Sequence, residues 1–178
     1  IIVGVYFSSQ MPSDIGRLSN ANIIVKRKNG APWHPSAATW VDYGSFHIDG
    51  LTALNMSPLS EVGVTNSTFL SEGSLVNSSI SNFRSTCIWA SAITNYQYLI
   101  ENSVLNGYSY GVQMLGPNLR VYNTVLLNNR DAGIRIYDPY TGDYNLYFNN
   151  GRTGMGTTFY QGEHDIIADP MFVNATAY

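Results

Sequence analysis

The sequence predicts an all-β solenoid, a chain wound from short strands, and three observations lead there. Asparagine-centred units recur at near-constant spacing, apolar residues alternate with period two, and no window of useful length carries the 3.6-residue stripe of a helix. Composition agrees: 44% of the 178 residues are hydrophobic and only 12% charged, about half of the ~25% usual in soluble domains. Polarity is therefore carried by amides, hydroxyls and turns. So apolar a chain is not a disordered one, which needs few apolar residues and much charge.

Taken in order, residues 1–40 read as irregular N-terminal coils or a cap. Within them ANIIVKRKNG (21–30) is a strand ending in a turn, and APWHP (31–35) is a loop, since both prolines bar helix and ladder donation. From residue 41 to 178 the pattern is regular. FHIDGLTALN (46–55) alternates into a turn, and VTNSTF (64–69) follows. LVNSSISN (75–82), LIENSVLN (99–106), RVYNTVLLN (120–128) and DYNLYFN (143–149) then superimpose. With Ser78 standing in for Asn, the recurring residues Asn66, Ser78, Asn102, Asn123 and Asn145 lie 12, 24, 21 and 22 apart. Three of these gaps suit one solenoid coil, while the gap of 12 implies a missing strand or a shifted register. Glycine-led strands run between the units, GVQML (111–115) and GIRIY (133–137), with CIWAS (87–91) in register.

Stacking each strand on its equivalent one coil away pairs the backbone groups and buries one side chain in two. An amide at the same corner of every coil can bond to those above and below, and Asn tolerates the left-handed backbone of a tight corner. Asn66, Asn102, Asn123 and Asn145 are accordingly expected as rungs of an asparagine ladder, with Asn102 and Asn123 buried in it. Residues 162–178 are expected to close the coil's open end, with Ile166, Ile167, Met171, Phe172 and Val173 as apolar cover and Pro170 where no ladder donor is needed.

Several function classes drop out. A net charge of −3 with two lysines, Lys26 and Lys28, argues against a nucleic-acid partner. No apolar run approaches the ~18 residues of a membrane span. The single Cys87 excludes an intramolecular disulfide framework and a cysteine-based zinc site, and His34 and His47 lack partners at metal-ligand spacing, so no metal site is expected. GRTGMG (151–156) lacks the Lys-Ser/Thr of a phosphate cradle, and the Glu163-His164-Asp165 cluster reads as structural. The opening IIVGVYF lacks an initiator Met and a basic n-region, which points to a processed product, an excised fragment or an incomplete sequence rather than a leader.

Alternation also selects the candidate site. With Ile88, Ala90, Val112, Met114, Ile134 and Ile136 inward, Trp89, Gln113 and Arg135 must point outward, stacked ~5 Å apart per coil. An aromatic face, an amide and a guanidinium in a row suit a sugar chain, because Trp stacks on pyranose C–H faces and Arg forks a uronate carboxylate. The substrate-binding candidates are therefore Trp89, Gln113, Arg135 and Tyr137. Asp131 and Asp138 flank Arg135 in sequence and form the best available carboxylate pair, so both are catalytic candidates.

The Asn-Ser/Thr-x-apolar coils, together with 46–55, resemble the right-handed parallel β-helix superfamily to which pectate-lyase-like proteins belong. The segments 143–151 and 162–173 resemble the C-terminal coil of secreted bacterial β-helix proteins, and the resemblance runs from about residue 40 to 174. It implies a single-stranded right-handed parallel β-helix of about six or seven coils, a secreted, extracellular location, and a substrate groove along the Trp89–Gln113–Arg135 sheet. It makes Arg135 similar to the family's arginine base. No cofactor is firmly implied by it, and Ca²⁺ held by several Asp is the one such a lyase would use. The superfamily contains lyases, glycoside hydrolases, epimerases, tailspikes and adhesins, so two functions stand open. One is binding, with or without cleavage, of an anionic, uronate-type polysaccharide. The other is a non-catalytic structural β-helix (adhesin, stalk, tailspike-like or filament subunit) that self-associates through its coil ends.

Overall fold

The structure is a computed structural model that describes residues 2–8, 15–25, 36–42, 45–55, 62–69, 73–83, 86–92, 97–107, 109–115, 118–156 and 159–171. Its strands, in chain order, are β1 (Ile2–Ser8), β2 (Ile15–Ser19), β3 (Asn22–Val25), β4 (Ser36–Asp42), β5 (Ser45–Asp49), β6 (Thr52–Asn55) and β7 (Val62–Phe69). There follow β8 (Gly73–Val76), β9 (Ser79–Phe83), β10 (Thr86–Ala92), β11 (Gln97–Glu101), β12 (Val104–Gly107), β13 (Tyr110–Leu115) and β14 (Asn118–Tyr122). The last are β15 (Val125–Leu127), β16 (Ala132–Ile136), β17 (Tyr140–Asp143), β18 (Leu146–Phe148), β19 (Gly154–Met155) and β20 (Ile166–Ile167).

Every third strand joins the same sheet, always in parallel. Sheet A holds seven strands in the order β1-β4-β7-β10-β13-β16-β19, sheet B six from β2 to β17, and sheet C seven from β3 to β20. This is the parallel β-solenoid that the repeats predict. The segment 1–40, expected as irregular coils or a cap, contributes β1, β2 and β3, the first strand of each sheet, and most of β4. Asn66 lies inside β7 of sheet A, not at a corner, which accounts for the short gap that follows it.

Inward side chains from all three sheets fill one narrow core. Tyr98, Ile100, Leu105, Val112, Leu126 and Ile134 are among those with no exposed surface, each stabilising the coil by roughly 1.5–3 kcal/mol through burial. Cys87 is buried there, and desolvation pushes its thiol pKa well above the usual range, which leaves it inert. Gly111 and Gly133 are required by close approach: a Cβ at Gly111 would meet the Gly133 carbonyl oxygen at 2.7 Å, and one at Gly133 the Thr153 carbonyl oxygen at 2.8 Å.

The corners correct the predicted ladder. Where sheet B turns into sheet C, Asn20, Asn77, Asn102 and Asn123 adopt φ of 48–50°, Gly50 adopts 69° and Tyr144 59°. Asn102 and Asn123 thus occupy the left-handed position, but their side chains are exposed, not buried rungs. The buried ladder runs one residue later. Ser78 Oγ accepts from Leu51 N (3.1 Å), Ser103 Oγ from Ser78 N (3.2 Å), and Asn145 Oδ1 from Thr124 N (3.0 Å). The amides of Leu51, Ser78 and Thr124 thereby each find a side-chain oxygen in the next coil. Asn145, predicted as a rung, is one.

The amide ladder itself stands at the opposite corner, between sheets C and A. Asn128 Nδ2 donates to Asn106 Oδ1 (3.0 Å) and Asn149 Nδ2 to Asn128 Oδ1 (2.9 Å). Beside it Asn129 Oδ1 accepts from Gly107 N, and Asn150 Oδ1 from Asn129 N and Nδ2.

The closing segment also differs from expectation. β20 extends sheet C by pairing with β18, and Ile166, Ile167 and Met171 are 55%, 66% and 81% exposed, so they do not cap the core. Phe172 and Val173 lie outside the described residues. What holds the segment is polar. Asp165 Oδ1 accepts from Asn145 N (2.8 Å) and its Oδ2 from Gly162 N (2.9 Å), while His164 Nδ1 lies 2.8 Å from Asp143 Oδ2. The 163–165 cluster is structural here, as read from the sequence.

Candidate functional site

Period-two alternation places the site. In β13 and β16, Val112, Met114, Ile134 and Ile136 are buried, so Gln113 and Arg135 emerge on the outer face of sheet A, both half-buried. Ile88 is buried in β10, and Trp89 emerges half-buried; the side chain of Ala90 lies outside the described residues. Strand register then aligns the three: Trp89 pairs with Gln113, and Gln113 with Arg135. The same register row continues to Met155 on one side and through Thr65 and Trp40 to Tyr6 on the other. Tyr6 and Trp40 are positions that repeat-matching does not reach, because strands β1 and β4 lie ahead of the recognisable units.

Arg135 is the best-determined group. Its Nη2 and Nε donate to Tyr137 Oη at 2.8 and 3.2 Å, and its Nη1 donates to Tyr110 Oη at 3.4 Å. Its Cζ lies 5.2 Å from the Tyr110 ring centroid and 5.4 Å from that of Tyr137. The guanidinium is therefore clamped between two phenols, which hold it by hydrogen bonding and by attraction of the cation to the ring faces. Tyr137 was a sequence candidate. Tyr110 comes from β13, one coil before Arg135.

The hydrogen bond that Arg135 donates to Tyr137, against a smaller opposing effect of burial, raises the Arg135 pKa above its ordinary value. Asp131 and Asp138 are both half-buried in the turns flanking β16, and Asp131 is held through its backbone amide to Ser109 O at 3.0 Å. The register row unites Trp89, Gln113 and Arg135, and Tyr137 joins it through its hydrogen bonds with Arg135. Calcium does not fit this face, since among the described residues no three Asp, Glu, His or Cys side chains converge. A fixed cation, an amide and an indole in a line can bind and orient an anionic chain.

A family model described as "Right handed beta helix region" matches residues 17–169. No curated protein and no solved structure matches the chain.

Proposed function

Because the chain belongs to the right-handed β-helix family, we propose that it binds an anionic, uronate-type extracellular polysaccharide along the outer face of sheet A. The observation that carries this reading is the in-register row Trp89–Gln113–Arg135 with its guanidinium fixed by two tyrosines. Three of the five guanidinium N–H groups are used by Tyr110 and Tyr137, leaving one on each terminal nitrogen for a carboxylate. Trp89 offers its face to a sugar ring, Gln113 exchanges hydrogen bonds with hydroxyls, and the ~5 Å coil spacing matches contacts to successive parts of one polymer. The clamp restricts Arg135 before binding, so less side-chain freedom is lost on association.

Binding, not turnover, is the function assigned. The test uses polygalacturonate and a neutral glucan in affinity electrophoresis, with absorbance of the unsaturated product followed in parallel. Wild type is expected to be retarded by polygalacturonate alone and to release no unsaturated product. Arg135→Ala is expected to weaken binding by about 10–100-fold, the worth of ~1.5–3 kcal/mol of charged hydrogen bonding, with an unchanged circular dichroism spectrum. Unaltered retardation of Arg135→Ala would return the fold to the structural role of a stalk or adhesin.

A further inference from the structure

We propose that the outer face of sheet B carries a second, separate groove that takes a carboxylated sugar residue, centred on Arg120 and Tyr122. Alternation in β14 buries Leu119 and Val121 and turns Asn118, Arg120 and Tyr122 outward. Register sets Gln97 of β11 beside Asn118, and Thr141 of β17 beside Arg120. With Pro139 these side chains line a groove of about 380 Å³, near the low end of the ~300–1,000 Å³ typical of ligand pockets and sized for about one or two sugar rings. Tyr98, Ile100, Leu119 and Val121, on the inner side of this sheet, pack in the same core as Val112, Ile134 and Ile136 of sheet A. The core therefore separates the groove from the Trp89 row.

The lining specifies the occupant. Arg120 is exposed, its Cζ 5.8 Å from the Tyr122 ring centroid, and among the described residues it has no carboxylate partner. Asp143 stands in the Tyr122 row, but its carboxylate is engaged by the His164 ring and by the amides of His164 and Tyr144, so it does not compete. Glu101 pairs with Tyr122 from β11 and is not among the lining residues, so a carboxylate is better accepted beside Thr141, away from Glu101. A guanidinium for the carboxylate, Tyr122 and Pro139 for a C–H face, and Gln97, Asn118 and Thr141 for hydroxyls describe an acidic sugar. A bare phosphate would use Arg120 and leave the rest idle.

The test is amide chemical-shift mapping of the full chain with trigalacturonate, inorganic phosphate and cellotriose as probes. Trigalacturonate is expected to shift amides of residues 97–101, 118–122 and 140–143. Arg120→Gln should abolish those shifts or weaken them about tenfold, the loss of one charged contact, while amides around Trp89 and Arg135 respond as before. Cellotriose and phosphate are expected to leave sheet B unmoved. The proposal is overturned if trigalacturonate spares these amides, if Arg120→Gln leaves their response intact, or if phosphate reproduces it. Wild type separates the two readings: shifts on sheet B with sheet A silent would refute the proposed function and leave this inference standing, whereas Arg135→Ala is expected to silence sheet A and spare sheet B.

Discussion

Ser103→Ala tests where the buried ladder runs. Ser103 is 1% exposed; its Oγ accepts from Ser78 N at 3.2 Å and donates to Glu101 O at 2.8 Å. Glu101 O also accepts from Asn77 N, so that carbonyl keeps a partner when the hydroxyl is removed. Ser78 N–H does not, and Ser78 is itself buried. The cost is then one stranded buried donor, about 1–3 kcal/mol. For a chain of this size each kcal/mol moves the thermal midpoint by about 2–4 °C, so a fall of roughly 2–12 °C is expected. The control is Asn102→Gly at the preceding position, which removes an exposed amide and keeps a residue suited to φ of 50°; it should change stability by less than about 0.5 kcal/mol. The assay is thermal unfolding followed by tryptophan fluorescence and by circular dichroism, whose coincidence checks that the coils melt together. A Ser103→Ala midpoint equal to wild type, or an Asn102→Gly as damaging as Ser103→Ala, would refute the assignment.

Two further predictions rest on the same corner. Tyr144 holds φ of 59° where its equivalents are Asn or Gly, so Tyr144→Asn should relieve part of the ~1–2 kcal/mol left-handed penalty. Set against the lost ring stack on His164 at 4.5 Å, the net effect expected is a thermal midpoint raised by a few degrees; a lowered midpoint would show the stack to be worth more than the strain. Asp143, held below its ordinary pKa chiefly by the His164 hydrogen bond, contributes stability present above the ordinary carboxylate pKa and lost as pH falls through its depressed value. The midpoint difference between wild type and Asp143→Asn should therefore favour wild type near pH 6 and shrink toward about pH 2, and a difference independent of pH would exclude the ion pair.

The fold was legible because alternation and repeat spacing are direct consequences of stacking, and Ile134 and Ile136 cannot both be buried unless Arg135 faces out. The tyrosine clamp was less legible. Tyr110 and Tyr137 reach Arg135 from different strands, and which phenol meets the guanidinium depends on side-chain geometry that alternation leaves open. The sheet B groove was not legible at all, since it is assembled from β11, β14, β17 and the turn before β17, and no single segment carries its pattern.

The ladder shows why residue type alone misplaces a repeat by one. The corner residue must accept a left-handed backbone, and the next must present a side-chain oxygen to the amide of the preceding coil. Asn meets both demands, so a motif centred on Asn does not say which it serves. Aligning Ser78 and Asn145 with Asn102 and Asn123 mixes the two positions, for in register Asn77 and Tyr144 are the corners while Ser78, Ser103, Thr124 and Asn145 are the rungs. The discriminating signal lies in the neighbours. Ser and Thr accept hydrogen bonds but lack the enrichment of Asn and Gly at positive φ, so a column that tolerates Ser and Thr is a rung and a column that tolerates Gly is a corner. Gly50 before Leu51, and Asn102 and Asn123 before Ser103 and Thr124, obey that rule. Leu51, with no side-chain oxygen to offer, receives one from the coil beyond: its own amide is met by Ser78 Oγ at 3.1 Å, as the direction of the ladder requires.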